Sequence, residues 1–276
     1  MSAHPHIADP LPPALLHALR DFTGGGVDGA VILGSGLGAF RDTLTCERSV
    51  LTSALPEYPA STVAGHIGAL HLCRLGAQRL LLFQGRIHGY EGYSEAQVTL
   101  PVRIAAALDA KKLLVSNAAG GLHPSFRAGD LMLITDILSL PVTSGMGLPL
   151  ERYLSGMEVP PGPVIPEAMR AHGRAAAADT GVALREGTYG FCSGPTYETR
   201  AEIAFFRLAG ADAVGMSTLP ELLAARLLGM DAIALSCITN KAQTVPQKVS
   251  HTEVTAVAAQ VSAQFSRLVR AILERW

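Results

Sequence analysis

Apolar positions along the chain fall into short runs broken by glycine and proline. The first strand, residues 31 to 33, runs straight into Gly34-Ser35-Gly36-Leu37-Gly38-Ala39. The next strand signals are Ala69 to Leu75 and Arg79 to Phe83, separated only by Gly76-Ala77-Gln78. That spacing predicts an antiparallel hairpin rather than a crossover unit. Residues 95 to 110 carry a helical pattern. Leu113-Leu114-Val115 reads as a short buried strand ending at Ser116-Asn117, with a glycine-rich turn and then a strand from Leu131 to Thr135. From Pro141 to Pro166 the chain is rich in Gly and Pro and has no period, which marks a candidate active-site loop. Helix and strand then alternate: helix near 166 to 179, strand 183 to 191, helix 198 to 209, strand 212 to 216, helix 218 to 229 and strand 231 to 238. A last helix puts Val254, Val257, Val261, Phe265, Leu268, Val269 and Ile272 on one face. The pattern predicts a mixed-sheet α/β fold with helices on both sides.

Composition sharpens this picture. No polar or low-complexity stretch divides the 276 residues, so residues 14 to 276 read as a single domain and residues 1 to 13 as a loose N-terminal tail. Charged residues make up 16% of the chain and apolar ones 49%, with a mean hydropathy of +0.29. A typical soluble domain carries about 25% charged residues, so the balance predicts a large core and a buried subunit interface. With 22 basic and 23 acidic residues and no basic cluster, the charge balance argues against nucleic-acid binding. Cys46, Cys73, Cys192 and Cys237 are scattered without C-x-x-C spacing, which predicts reduced thiols in a cytosolic protein, with neither zinc nor disulfides. The N-terminus has no basic region followed by an apolar core, so it is not a signal peptide. No uncharged apolar run is long enough to span a bilayer.

The glycine loop matches the dinucleotide pattern G-x-G-x-x-G/A, which raises the question of a nicotinamide cofactor. A Rossmann unit also needs a βαβ crossover and an acid about 20 residues on. Only Glu57 lies near that distance, and it sits between Pro56 and Pro59, where a central strand end is not expected. No Gly-Lys-Ser/Thr follows either. What survives is an anion nest of backbone N–H groups with the Ser35 hydroxyl beside it, or else a plain tight turn.

A second stretch, Gly85-Arg86-Ile87-His88-Gly89-Tyr90-Glu91-Gly92, follows the hairpin directly. If strand geometry persists past Gly85, then Arg86, His88 and Tyr90 alternate onto one face and offer a guanidinium, an imidazole and a phenol to an oxyanion. Each hydrogen bond to a charged group contributes about 1.5 to 3 kcal/mol, so three or four converging donors suffice to hold free phosphate in competition with water. A satisfied loop histidine and a packing tyrosine are the plain alternatives. In Ser116-Asn117-Ala118-Ala119-Gly120-Gly121-Leu122 the small residues mark either a close turn or backbone that approaches a substrate.

These three stretches, followed in order by Gly194-Pro195-Thr196-Tyr197-Glu198-Thr199, Gly215-Met216-Ser217-Thr218 and Ile238-Thr239-Asn240-Lys241, resemble the homotrimeric, 6-oxopurine-specific branch of the purine nucleoside phosphorylases. The likeness runs from about residue 27 to the C-terminal helix. It implies one α/β domain with a mixed twisted sheet, partly barrel-like and flanked by helices. It implies a cytoplasmic homotrimer that reversibly converts a purine nucleoside and inorganic phosphate to base and ribose 1-phosphate. Phosphate is then a co-substrate, no metal or organic cofactor is implied, and neither nucleic acid nor membrane is a partner.

By the same resemblance Ser35, His66, Arg86, His88, Ala118 and Ser217 form the phosphate site. Tyr90, Met216 and His251 are the ribose contacts, and Tyr197, Glu198, Thr239, Asn240 and Lys241 hold the purine. Asn240, Glu198 and His88 are the implied catalytic residues. Taken alone, Glu198 reads equally as a helix-start acid and Asn240 as a strand-end cap. Related methylthioadenosine phosphorylases carry Asp at the Asn240 position and an apolar 5′ pocket, so Asn240 with His251 points to inosine and guanosine. Methylthioadenosine or xanthosine phosphorolysis, and a noncatalytic nucleoside- or phosphate-binding protein, are the competing readings. Two departures stand out: Gly145 to Tyr153 does not match the family's lid pattern, and Tyr197 stands where Phe is usual.

Overall fold

The computed structural model describes residues 7, 9–62, 67–139, 163–242 and 251–276. The predicted loop from 141 to 166 lies almost wholly outside them. Helix α1 (Pro13–Thr23) places proline in its first turn, where a missing N–H is harmless, and closes at Gly24. It buries Leu15 and Leu19. Strand β1 (Gly29–Leu33) is buried at every position because parallel neighbours flank it on both sides, β4 (Gln78–Gln84) and β5 (Lys112–Gly121). β3 (Ala69–Leu75) pairs antiparallel with β4 as the hairpin that the three-residue gap predicts, and β2 (Thr45–Leu51) adds an edge strand to β3.

The second half contributes β6 (Leu131–Ser139), β7 (Leu184–Phe191), β8 (Ala213–Gly215) and β9 (Asp231–Lys241). The strand order is β2-β3-β4-β1-β5-β8-β7-β6-β9, and β9 pairs back to β5, so five strands close into a barrel-like ring at one end of the sheet. Around it lie α2 (Glu95–Val98), α3 (Leu100–Ala107), α4 (Glu167–Thr180), α5 (Arg200–Leu208), α6 (Leu219–Leu227), α7 (His251–Gln260) and α8 (Ser262–Leu273). This is the mixed, helix-flanked α/β domain expected from the pattern. No helix among the described residues is long and apolar enough to cross a membrane.

Several expectations change. The tail is not loose where it is described: Ile7 and Leu11 are buried in the main core, and the Arg103 guanidinium donates to the Asp9 carbonyl at 2.7 Å. Burial of these two apolar side chains and the Arg103 hydrogen bond tie the segment to the core. The cysteines are not all reduced. Cys46 and Cys73 stand opposite one another in the β2–β3 register and form a disulfide, while Cys192 and Cys237 are free. Sequence spacing could not reveal this pair, because β2 carries no alternation that marks it as a strand.

β5 does not stop at Asn117 but runs on to Gly121. Its glycines serve close packing rather than a turn: a Cβ on Gly121 would lie 2.9 Å from Ile238 Cγ2. The last helix is two helices, broken at Val261, where the backbone leaves helical geometry (φ −97°, ψ 3°).

Candidate active site

Parallel β1, β4, β5 and β9 present their carboxyl ends on one side of the sheet, the usual place for a ligand in an α/β fold. The glycine loop follows β1 and packs flat against its neighbours. A Cβ on Gly34 would meet the Ser116 carbonyl oxygen at 2.7 Å, and Gly36 (φ +75°) would meet Ala258 of α7 at 2.5 Å. Glycine is therefore dictated at both positions by backbone approach and conformation. The Gly34 N–H donates to Ser116 Oγ at 3.1 Å, which fixes the loop on β5. Between the two glycines, Ser35 faces the cleft.

One cleft is lined by Ser35, Arg86, His88, Tyr90, Ala118, Tyr197, Glu198, Met216, Ser217, Thr239 and Asn240. The fold thus gathers eleven of the residues singled out from sequence. Lys241 ends β9 exposed to solvent and is not among the residues that line the cleft. His66 lies outside the described residues. His251 opens α7, but its side chain also lies outside them.

Strand geometry does not persist past Gly85. β4 ends at Gln84, and residues 89–91 form a 3-10 turn. Arg86, His88 and Tyr90 nevertheless reach the same cleft, and the His88 and Tyr90 rings stack with centroids 4.7 Å apart. Glu91, which sequence reasoning passed over, organises this turn. It accepts from the His88 N–H at 2.7 Å, His88 Nδ1 at 3.0 Å, the Thr62 N–H at 2.6 Å and Thr62 Oγ1 at 2.8 Å. Burial pushes its carboxyl upward, but the His88 and Thr62 donors outweigh that and hold it down to about 2. With Nδ1 engaged as donor to Glu91, the other ring nitrogen, Nε2, is an acceptor when His88 is neutral and a donor when it is protonated. Burial, with Glu91 next to it, moves the Tyr90 phenol up to about 12, so this hydroxyl stays protonated.

The opposite end of the cleft carries the groups suited to a base. The pairing of β5 with β9 shifts by one residue between Ala119 and Gly120, so that Ala119 faces Ile238 and Gly120 faces Asn240. This bulge at Thr239 is why two successive residues, Thr239 and Asn240, both line the cleft. The Thr239 hydroxyl donates to Asn240 Oδ1 at 3.1 Å, which turns the amide NH₂ outward as a donor. Glu198 lines the same cleft, just before the Thr199 cap of α5. Burial raises the Glu198 carboxyl above the ordinary range, with the nearby Glu202 charge adding to the effect and a Cys192 hydrogen bond opposing it. Tyr197 is half exposed at the mouth.

Other supports were not legible in advance. Tyr189 is fully buried in β7, and its hydroxyl accepts from the Ser217 N–H at 3.4 Å. Asn117 Nδ2 donates to Thr218 Oγ1 at 2.8 Å. Thr218 holds a left-handed backbone (φ +75°) immediately before α6, a conformation rare for a β-branched residue and typical of sites where strain serves function.

Residues 29–274 match the family model described as the phosphorylase superfamily. The chain is 40% identical over 247 residues to purine nucleoside phosphorylase 1 of Bacillus subtilis (strain 168), covering 89% of this chain and 91% of that protein. It is also 40% identical over 256 residues to the purine nucleoside phosphorylase of Rattus norvegicus, covering 89% and 88%. The crystal structure of a Schistosoma purine nucleoside phosphorylase in complex with hypoxanthine superposes with a TM-score of 0.84 at 31% identity over 95% of both chains. The chain belongs to the phosphorylase superfamily and, within it, to the purine nucleoside phosphorylases, the enzymes of purine nucleoside phosphorolysis.

Proposed function

We propose that the enzyme prefers 6-oxopurine nucleosides, inosine and guanosine, uses inorganic phosphate as its second substrate with no metal or organic cofactor, and works as a homotrimer in the cytoplasm. One observation carries the substrate reading: an Asn240 amide whose oxygen is tied to Thr239, leaving its NH₂ as donor, lines the same cleft as the Glu198 carboxyl. The amide donates to N7 of the base while the carboxylate accepts from the ring N–H on the far edge, a pattern that a 6-oxopurine satisfies on both sides.

The roles follow from the charges that develop. Cleavage of the glycosidic bond leaves positive charge on the ribose and negative charge on the departing purine, so groups preorganised at both ends lower the barrier. Ser35, Arg86, His88, Ser217 and the backbone of Ala118 hold phosphate below the anomeric carbon, with His66 assigned beside them by resemblance. A phosphate oxygen forms the new bond to C1′ as the bond to N9 breaks, and its electron pair leaves with the base. Asn240 stabilises that pair at N7. Tyr90 and Met216 bound the ribose, and His251 is assigned to the 5′-hydroxyl.

Phosphate-dependent release of hypoxanthine from inosine is the direct test; release that does not depend on phosphate overturns the reading. Replacing Ser35 with Ala removes one donor to a charged ligand, worth about 1.5–3 kcal/mol. The KM for phosphate is therefore expected to rise tenfold or more, and that for inosine far less. Because Glu198 must be ionised to accept from the base, activity falls as pH drops through its raised pKa. The acid limb of kcat/KM for inosine is expected above the ordinary carboxylate range, and Glu198→Gln should abolish it.

Phe205 and Leu208, three residues apart on α5, are 50% and 87% exposed, which supports a subunit contact on that face. Sedimentation at three times the chain mass is the expected result. The cytoplasmic assignment is supported by the free thiols of Cys192 and Cys237 and opposed by the Cys46–Cys73 disulfide.

A further inference from the structure

Arg86 is a buried cation whose direction is set by groups behind it. Its Nη1 donates to Glu221 Oε2 at 2.9 Å, and its Nη2 donates to the Ser116 carbonyl. Longer contacts of 3.4 and 3.5 Å run from Nη1 to Thr218 Oγ1 and from Nη2 to the Ile32 carbonyl. The Arg86 and Glu221 side chains are each 2% exposed. Glu221 Oε1 is buried with no hydrogen-bond partner among the described residues, so Arg86 is the group that compensates this carboxylate.

Glu221 does not line the substrate cleft. It faces an adjoining, largely apolar cavity bounded by Ile87, Val98, Phe191, Pro195 and Pro220, and Arg86, His88, Tyr90, Met216 and Ser217 line both spaces. Apolar residues would fill this space with less desolvation cost than a buried ion pair, so packing alone does not account for the carboxylate. Its place in the chain does. Glu221 lies in the first turn of α6, four residues after Ser217, and Asn117 beside Ala118 is bonded to the intervening Thr218. One network therefore joins the three segments that supply Arg86, Ala118 and Ser217.

We propose that Glu221 is a positioning residue for phosphate: the hydrogen bond that its Oε2 accepts from Arg86 Nη1 fixes the plane of the Arg86 guanidinium relative to Ser217 and the Ala118 backbone. The proposal rests on Arg86 being a phosphate ligand, as assigned above. Two variants separate reach from charge. Glu221→Asp keeps the charge but withdraws the carboxylate by one methylene, and its KM for phosphate is expected to rise about tenfold or more with the KM for inosine within about twofold. Glu221→Gln keeps an acceptor oxygen at full reach and should stay within about threefold of the parent in both constants.

The proposal is overturned if both KM values move together in Glu221→Asp, if neither moves, or if Glu221→Gln shifts phosphate as far as Glu221→Asp does. A Glu221→Asp chain that fails to fold assigns the pair to stability and overturns it as well. The double variant Arg86→Met/Glu221→Leu tests the premise separately. An unchanged phosphate KM there rejects Arg86 as a ligand, whereas a large rise there with no effect in Glu221→Asp rejects Glu221 alone.

Discussion

Glu198→Ala is expected to lower kcat/KM for inosine by about 10³-fold, while the KM for phosphate stays near that of the parent. On the proposed assignment the Glu198 carboxyl contacts the purine and Ser35 and Arg86 the phosphate, so its loss removes a contact to the base and none to the nucleophile. The variant is expected to fold. Glu198 precedes the capping box of α5, and that cap is formed by Thr199 with Glu202. Steady-state kinetics with each substrate varied in turn is the check. A parallel loss in both KM values would assign Glu198 to the architecture of the 194–199 loop instead.

The second large effect is a change in substrate preference. In Asn240→Asp the group facing N7 becomes a carboxylate, whose lone pairs oppose the electron density that builds there as the base departs. Inosine turnover is expected to fall by about 10²-fold or more, the range found when one donor to a developing anion is removed. Adenosine offers a 6-amino donor to the new carboxylate, so its turnover should fall less than tenfold. The ratio of the two rates, measured with phosphate saturating, reports this directly, and equal losses would count against the assigned role. The Thr239 hydroxyl, which donates to Asn240 Oδ1, can donate to the aspartate as well, so the substitution leaves the residue's orientation in place.

Much of the fold was legible because its elements are short and sharply punctuated. The three-residue gap at Gly76 announces the β3–β4 hairpin, and the alternation after residue 166 announces the helices and strands of the second half. What escaped carries weaker local signals. β2 exposes most of its residues and has no apolar alternation. α1 lies within a proline-rich stretch, although Pro13, the Leu15–Leu19 spacing and Gly24 together mark its ends and its buried face.

The cleft was legible as a set of short motifs, and its supports were not. Glu91, Tyr189, Thr218 and Glu221 act through partners that the fold brings together. Glu221 lies 135 positions from the arginine it holds, and no local spacing encodes such a pair. Lys241 ends its strand outside the cleft lining, and a sequence motif does not show where a strand leaves the cavity wall.

The extra residue at Thr239 has an implication for how this enzyme changes over time. Ala118 and Asn240 ride on adjacent, hydrogen-bonded strands, and the one-residue slip that aims Asn240 at the base lies beyond the Ala118–Cys237 pair. On the proposed assignment, choice of nucleobase is decided at a side chain, downstream of backbone that holds the nucleophile, so mutation at position 240 can explore new nucleosides while the attacking group keeps its place, and specificity can diverge in descendants without the reaction being reinvented.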